Sequence, residues 1–411
     1  MLSNKFLPTL NLVLAIIGYQ LATSLATPFF GANIEGATNR ITVPYRMITF
    51  IISTIVIIQS IMHYETLPKP DRTTKYLMVA WLLLILRLSY DLVIRTDFFL
   101  SPRESSRIWM YVWLLCIYCG FSVAVSIKRI DLHLALRLTA YALIICLTLT
   151  VLFNPLILAD ADDINERLEG NFALRTIAFG QMGLTAIIVG AYMIYAERRI
   201  LYKFLIPAFL IFIGALISLR SGSRGPLICF VVIVLFVIIT NVKRPIVGLI
   251  WAALILMLIS VFSQDILIRI GRISPVLAQR LVYTTSNDDR AMLLHEAWER
   301  FVNSPFFGDR FAIIFTNGKF MYSHNMILDA LMGMGIVGGI VFTIMFCSSL
   351  YDSYKLAKLD KRYLWIVLLL IQNIAGGMLS SAFYLKPLLT TLIIYVALST
   401  SNYSPNSIQR S

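Results

Sequence analysis

The stretch LRSGSRGPL, residues 219–227, places two arginines and several turn-forming residues between two long apolar runs. Gly, Ser and Pro at this spacing predict a short connection followed by the first turn of a helix. Free backbone N–H groups are expected at three of its residues, Ser221, Ser223 and Gly225. Together with Arg220 and Arg224, and with the dipole of the following helix, such groups favour binding of an anion. A plain turn with snorkelling arginines fits the same pattern.

A second group of residues opens another apolar run, SHNMILDALMGMGIVGG, residues 323–339. His324 and Asn325 lie at the expected helix start, and histidine suits general-base chemistry near neutral pH. Glycines inside a membrane helix permit close packing against a neighbour; they are Gly333, Gly335, Gly338 and Gly339. The alternative is an interfacial histidine followed by a packing motif. Asp329, four residues after Asn325, either caps this helix or lines the site.

Other candidate residues favour structural roles. Arg87 and Asp91 have the spacing of one helical turn inside a predicted span, which indicates a structural ion pair more than a catalytic one. His295 follows Arg290 by about a turn, and we expect it at the surface.

No metal or cofactor is expected. The acidic motif DADD, residues 160–163, lies in a predicted outer loop and has the residue types of a metal site, but we assign it no metal. Cys116 and Cys119 form a C-x-x-C within a predicted span and lack a second pair nearby, so we assign them neither a metal nor a redox role.

The composition predicts the kind of fold that holds these residues in place. The chain has 411 residues, of which 58% are hydrophobic and 14% charged, and its apolar runs approach twenty residues. This predicts an all-α polytopic membrane protein. We predict about twelve transmembrane helices, at residues 6–25, 46–63, 75–95, 107–127, 133–153, 177–196, 203–219, 226–242, 245–263, 326–350, 363–381 and 385–401.

The distribution of basic residues predicts the orientation. With the N-terminus inside, nine of the eleven lysines fall in cytoplasmic loops, and both termini are cytoplasmic. The basic residues of the outer loops are mostly arginine, the side chain suited to bidentate phosphate contacts. We therefore attribute the net charge of +13 to interactions with anionic lipid headgroups and with an anionic substrate, rather than with nucleic acid.

We expect one domain over residues 1–411, with a long outer loop over residues 264–325 between the ninth and tenth spans. Residues 264–283 predict an amphipathic helix at the membrane surface. Residues 288–308 predict a second helix, with Asp288 or Asp289 as its cap and an end at Asn303 to Pro305. A loop of this length between membrane helices is usually functional.

These motifs together resemble the O-antigen polymerase and O-antigen ligase superfamily. The His-Asn…Gly-x-x-Gly signature of that superfamily is present as His324, Asn325, Gly335 and Gly338. The segment SGSRGP resembles its arginine-bearing turn. In the long loop, Arg290 followed by Pro305 and Gly308 resembles its arginine, helix and Pro-x-x-Gly closure. The resemblance covers residues 205–350, whereas the first two hundred residues match only in hydropathy.

The resemblance implies a metal-independent glycosyltransferase of the GT-C type in the bacterial inner membrane. Its donor would be a glycan on undecaprenyl diphosphate, presented at the periplasmic face, and its long-loop helices would cap an outward cavity open to lipid. His324, Arg224 and Arg290 are then expected as catalytic residues. Substrate-binding roles are expected for Arg220, Ser223 and Asn325; Arg220 is our addition to the family pattern and could be only an anchor.

Two activities fit this donor chemistry. A polymerase passes the growing chain to the next lipid-linked repeat unit, and a ligase passes the finished chain to lipid A-core. The motifs resemble polymerases more closely, and flippase and chain-length regulator proteins would be partners. A transporter or flippase is a third hypothesis, which the absence of repeated halves in the sequence and the long outer loop disfavour.

Overall fold

The computed structural model describes residues 4–30, 37–63, 68–94, 116–154, 157–159, 168–171, 174–242, 245–282, 289–311, 313–314, 320–380 and 386–402. The regular structure in these ranges is helical apart from a two-residue antiparallel ladder. It pairs β1 (Ile313–Ile314) with β2 (Phe320–Met321), and Ile313 lies opposite Met321. The motif DADD at residues 160–163 lies outside the described residues.

Sixteen α-helices are distinguished in the described part of the chain. They are α1 (Phe6–Val13), α2 (Tyr19–Phe30), α3 (Ala37–Met62), α4 (Arg72–Val93), α5 (Tyr118–Ser126), α6 (Leu132–Phe153), α7 (Thr176–Ala196), α8 (Ile206–Arg220), α9 (Arg224–Asn241), α10 (Pro245–Val261), α11 (Ser263–Ile273), α12 (Pro275–Val282), α13 (Asp289–Asn303), α14 (Met326–Leu359), α15 (Leu364–Ser380) and α16 (Pro387–Asn402). A π-helical turn at Leu14–Gly18 joins α1 to α2, and another at Leu201–Leu205 precedes α8.

The protein is an all-α polytopic membrane protein. Eight helical segments of the described chain are long and apolar enough to cross a bilayer. They are Phe6–Phe29, Arg40–Met62, Leu132–Phe153, Thr176–Ala196, Leu201–Arg220, Arg224–Asn241, Met326–Leu359 and Lys361–Ser380. The other four predicted spans coincide with α4, α5, α10 and α16, although residues 107–115 lie outside the described residues. The count of twelve therefore stays a prediction.

The long loop differs from the prediction in one element. The predicted single helix over 264–283 is observed, within the described residues, as two helices, α11 and α12, and the break falls at Ser274. Pro275 explains it, because proline disfavours the helical conformation in the residue before it and cannot continue the hydrogen-bond ladder. The second loop helix is confirmed: α13 ends at Asn303, as Pro305 predicts, and it begins at Asp289. Asp288 lies outside the described residues.

The helices group into two compact units. Unit 1 comprises residues 1–49, 129–284 and 360–372, and unit 2 comprises residues 50–128, 285–359 and 373–411.

The core of unit 1 is built on the close approach of α7 and α8. A Cβ on Gly183 would lie 2.5 Å from the Gly214 carbonyl oxygen, so the two backbones touch where both helices lack a side chain. A buried amide adds a polar contact, since Gln372 Nε2 on α15 donates to the carbonyl and side-chain oxygens of Gln181, each at 2.8 Å. Such hydrogen bonds satisfy polar groups for which the lipid hydrocarbon offers no partner.

The core of unit 2 is built around α14, which packs against α4, α13 and α16. Asp71 caps α4 by accepting the Thr74 N–H at 2.8 Å. Near the same end of α4, Thr73 Oγ1 donates to the Asp352 carboxylate of α14. At its other end α14 carries the His324–Asn325 motif, so the helix that organises unit 2 also positions one of the candidate groups.

Candidate functional site

The connection between α8 and α9 is only three residues long. Gly222 at its centre has φ +60°, a conformation that glycine adopts without strain. The N–H groups at the turn are largely used within it: Ser221 N donates to the Ile217 carbonyl at 2.9 Å, and Ser223 N lies 3.4 Å from Ser221 Oγ. The expectation that Ser221 and Ser223 leave these groups free is therefore wrong, because the tight turn folds back onto the end of α8.

The two arginines of this connection have different surroundings. Arg220, at the end of α8, is buried, and its guanidinium donates to the carbonyl oxygen of Ala159 at 2.5 Å. Arg224 is the first residue of α9 and is half-buried. Arg280 on α12 reaches the carbonyl of Gly222 at 3.5 Å. The structure thus gives Arg220 an anchoring contact and brings three cations to the positive end of the α9 dipole. We refer to Arg220, Ser223, Arg224 and Arg280 as the arginine cluster.

The second candidate group lies in unit 2, at the start of α14. His324 has φ +64°, the left-handed region that costs a side chain such as histidine about 1–3 kcal/mol unless its surroundings impose it. Its neighbours impose it here. Ser323 N donates to the Asp329 carboxylate at 2.9 Å, and Asn325 Oδ1 accepts the N–H of Leu328 at 3.1 Å. Asn325 is thereby the N-cap of α14, and Asp329 holds the preceding turn.

Two further side chains define the surroundings of His324. The Tyr322 and His324 rings meet edge to face, with centroids 4.6 Å apart. The pKa of Tyr322 is raised by burial and by the Asp329 carboxyl, whereas the charge of Arg290 lowers it. The phenol is therefore protonated at neutral pH, and the positive charge of Arg290 acts on the same turn as His324.

Arg290 is positioned by the packing of α13. This helix presents Leu293 and Ala297 to the first turns of α14, where Leu328 and Met332 complete an apolar cluster. The half-buried Arg290 lies near the His324 end of α14, because its charge acts on Tyr322, whose ring contacts that of His324. The predicted catalytic residues Arg290 and His324 therefore come together within unit 2. With Tyr322 and Asn325 they form what we call the histidine cluster.

The Pro-x-x-Gly closure after α13 docks onto a kink in α14. Gly335 has φ +67° and ψ −162°, which interrupts the helix, and a Cβ there would overlap the carbonyl of Phe306. Two backbone hydrogen bonds close the contact: Ile336 N donates to Pro305 O at 2.7 Å, and Asp309 N donates to Met332 O at 2.8 Å. Gly335 of the motif thus admits the loop backbone.

The buried pair Arg87–Asp91 on α4 holds the same loop. Arg87 binds the Asp91 carboxylate at 3.1 Å, which confirms the predicted ion pair. Its guanidinium also donates to the carbonyls of Phe307 at 2.6 Å and Gly308 at 3.2 Å, and to that of Asp309. These contacts, like Tyr322, were missed from the sequence. The sequence does carry a signal for the contacts of Arg87, since an ionisable residue inside a membrane helix almost always has a partner.

The remaining candidates stay outside both clusters. His295 is 72% exposed and pairs with Glu299 at 3.1 Å, as expected for a surface residue. Cys116 and Cys119 are buried thiols on α5 and its preceding turn. Among the described residues, no group of three His, Cys, Asp or Glu side chains could hold a metal ion.

Part of the chain matches a known protein family. Residues 207–343 match the family described as O-antigen ligase, a segment of 137 of the 411 residues. The matched segment runs from α8 to the first half of α14 and contains all six predicted site residues, Arg220, Ser223, Arg224, Arg290, His324 and Asn325. A search of curated proteins found no match.

Proposed function

We propose that this chain is a surface polysaccharide polymerase, because residues 207–343 match the family described as O-antigen ligase, whose superfamily consists of glycosyltransferase-like enzymes. It would transfer a growing glycan from undecaprenyl diphosphate to the next lipid-linked repeat unit, at the periplasmic face of the inner membrane. The observation that carries the proposal is the His324 turn, held in a left-handed conformation at the start of α14 inside the matched segment.

His324 is proposed to accept the proton of the acceptor hydroxyl. As that O–H bond breaks, the oxygen forms the new glycosidic bond to the anomeric carbon of the donor. The bond from that carbon to the diphosphate breaks, and undecaprenyl diphosphate leaves with the electron pair. A half-buried imidazole with its backbone fixed on both sides suits this role, because its position is set before the substrate binds.

The arginines are proposed to bind the leaving diphosphate. Arg224 lies at the N-terminus of α9, where the helix dipole and the guanidinium both favour an anion. Arg220 would contribute positive charge while its contact with Ala159 anchors it. Arg290 would add a cation beside His324. Stabilising charge that develops on the leaving group requires no metal ion in this scheme.

The ligase is the second candidate, and the description of the matched family favours it. The polymerase is preferred because three segments resemble polymerases more closely. They are SGSRGP (221–226), YSHNMILDALMGMGIVGG (322–339) and LSSAFYLKPLLTTL (379–392). The two activities differ in acceptor, so lipopolysaccharide separates them.

The first experiment is a gel of lipopolysaccharide from a strain that lacks the gene. Core that carries a single repeat unit is the expected result, because ligation continues without polymerisation. Bare core, with polymer accumulating on the lipid carrier, would identify the ligase instead. Unchanged lipopolysaccharide would contradict both activities.

The second experiment restores the gene with single substitutions. Arg224→Ala should fail to restore polymer, whereas Arg269→Ala, an exposed cation on α11, should restore it. Equal membrane abundance of the two variants, measured by immunoblot, separates loss of chemistry from loss of protein. Restoration by Arg224→Ala would contradict the proposed diphosphate site.

A further inference from the structure

An apolar groove crosses unit 1 away from the arginine cluster. It has a volume of about 510 Å³ and lies between α7, α9 and α15. Its lining is aliphatic and aromatic and includes Ile188, Ala191, Phe230, Val234, Val237 and Leu368. On α7 the lining runs from Leu184 to Tyr195, which is about 16 Å along the helix at 1.5 Å per residue.

A basic cavity of about 770 Å³ adjoins one end of this groove. Tyr192, Tyr195 and Lys361 line both spaces, so the two are continuous. The titratable side chains that line the basic cavity include His133, Glu197, Arg198, Lys203, Asp360, Lys361 and Arg362. They lie at the loops that the lysine distribution predicts to be cytoplasmic.

The charges in the basic cavity leave an excess of positive charge. Glu197 is held by two hydrogen bonds from Arg137, each 2.8 Å, and Asp360 is held by Arg362 at 2.6 Å. The carboxylates are thus matched by two arginines. Arg198, Lys203 and Lys361 add further positive charge around the same space.

We propose that the groove and the basic cavity together bind one anionic phospholipid of the cytoplasmic leaflet. An acyl chain would lie in the apolar groove, and the phosphate headgroup would lie against Arg198, Lys203 and Lys361. One leaflet of hydrocarbon is about 15 Å thick, which matches the length of the groove. Basic pockets between membrane helices on the cytoplasmic side are typical sites for anionic headgroups. This site is independent of the proposed glycosyl transfer.

The headgroup part is tested with the purified full-length protein in detergent. Phosphatidylglycerol and phosphatidylcholine with the same acyl chains are titrated separately, and the melting temperature is measured. A ligand that binds the folded state raises the melting temperature with concentration. We expect phosphatidylglycerol to raise it several-fold more than phosphatidylcholine. Equal shifts for the two lipids would overturn the proposal.

Charge variants localise the binding. Lys203→Gln combined with Lys361→Gln should remove most of the preference for phosphatidylglycerol, whereas Arg199→Gln should keep it. Arg199 is an exposed neighbouring cation outside the lining of either space, so it controls for a general loss of charge. If the double variant kept the preference, the headgroup site would be wrong. A full shift produced by glycerol phosphate alone would also overturn the proposal.

A groove variant tests the acyl chain and does not depend on the charge variants folding. Ala191 is exposed and lines the groove, so Ala191→Phe fills the space from its open side. Ala208→Phe on α8 is the matched control, since Ala208 is exposed and lies outside the groove lining. Native mass spectrometry should show retained phosphatidylglycerol lost in Ala191→Phe and kept in Ala208→Phe. Equal retention would contradict a chain in the groove.

Discussion

The arginine cluster and the histidine cluster are built in different ways. The arginine cluster surrounds a three-residue connection whose Ser221 and Gly222 N–H groups bond back to the end of α8, and its cations lie at the N-terminus of α9. The histidine cluster opens a helix that is kinked at Gly335 and braced by a loop from α13 and by Arg87 from α4. In the arginine cluster, the proposed chemistry would depend on the type of charge. In the histidine cluster, it would depend also on packing that fixes one backbone conformation. Substitutions in the two clusters should therefore differ in how they affect transfer and stability.

The largest effect is expected for His324→Ala. A general base contributes about 10²–10⁴-fold to rate, so transfer measured with lipid-linked repeat units should fall by that factor. The melting temperature should change little, because alanine at φ +64° keeps the backbone strain and only the contact of the His324 ring with Tyr322 is lost.

His295→Ala is the matched control for that loss. His295 is exposed and its pair with Glu299 lies at the surface, so its removal should leave transfer near the normal rate. Near-normal transfer by His324→Ala would show that the histidine cluster does not carry the chemistry.

Gly335→Ala should produce the next largest effect, on folding rather than on charge. The new Cβ would meet the Phe306 carbonyl, and alanine resists φ +67°, so we expect a loss of about 3–5 kcal/mol in the free energy of unfolding. Gly225→Ala, beside Arg224 of the arginine cluster, is the comparison, because the nearest atom to its Cβ would be 3.7 Å away. Equal melting temperatures for the two variants would contradict the different construction of the clusters.

The sequence predicts much of this architecture because hydropathy and local capping signals determine it. The long apolar runs form helices, Pro305 ends α13, and the turn-forming residues at 221–223 separate α8 from α9. The break at Ser274 was missed although Pro275 carries the signal for it. Each of these features depends on a few neighbouring residues, so the sequence contains the information.

The bracing of the histidine cluster could not be predicted in the same way. The kink at Gly335 exists because the Pro305–Gly308 loop supplies the hydrogen-bond partner of Ile336, and the pattern of glycines alone permits either a kink or simple helix packing. Arg87 contacts a loop 220 residues further along the chain. Likewise, the contact of Arg220 with the Ala159 carbonyl joins residues that are 61 positions apart in the sequence. Long-range partners leave no local pattern.

Arg87→Leu tests the contact between α4 and the loop that follows α13, and its expected effect is smaller than that of Gly335→Ala. It leaves the buried Asp91 carboxylate without its cation and removes the donor to three loop carbonyls, so we expect a loss of about 3 kcal/mol in unfolding free energy. The double variant Arg87→Leu/Asp91→Leu should recover part of this loss, since no buried charge remains. A double-mutant cycle by thermal unfolding measures the coupling; additive losses would contradict a coupled pair.

The smallest effect is expected for Tyr322→Phe. The edge-to-face contact with the His324 ring persists, and only the hydroxyl is lost, whose hydrogen bond to the Ser380 carbonyl is long at 3.4 Å. A bond of that length contributes less than about 1 kcal/mol, so transfer and melting temperature should stay close to those of the unsubstituted protein. Tyr322→Ala removes the ring as well and should lower transfer more than stability, because His324 loses the surface against which it lies. If Tyr322→Phe lowered transfer as strongly as Tyr322→Ala, the protonated phenol itself would contact the substrate, and the histidine cluster would hold a second reactive hydroxyl rather than a packing partner.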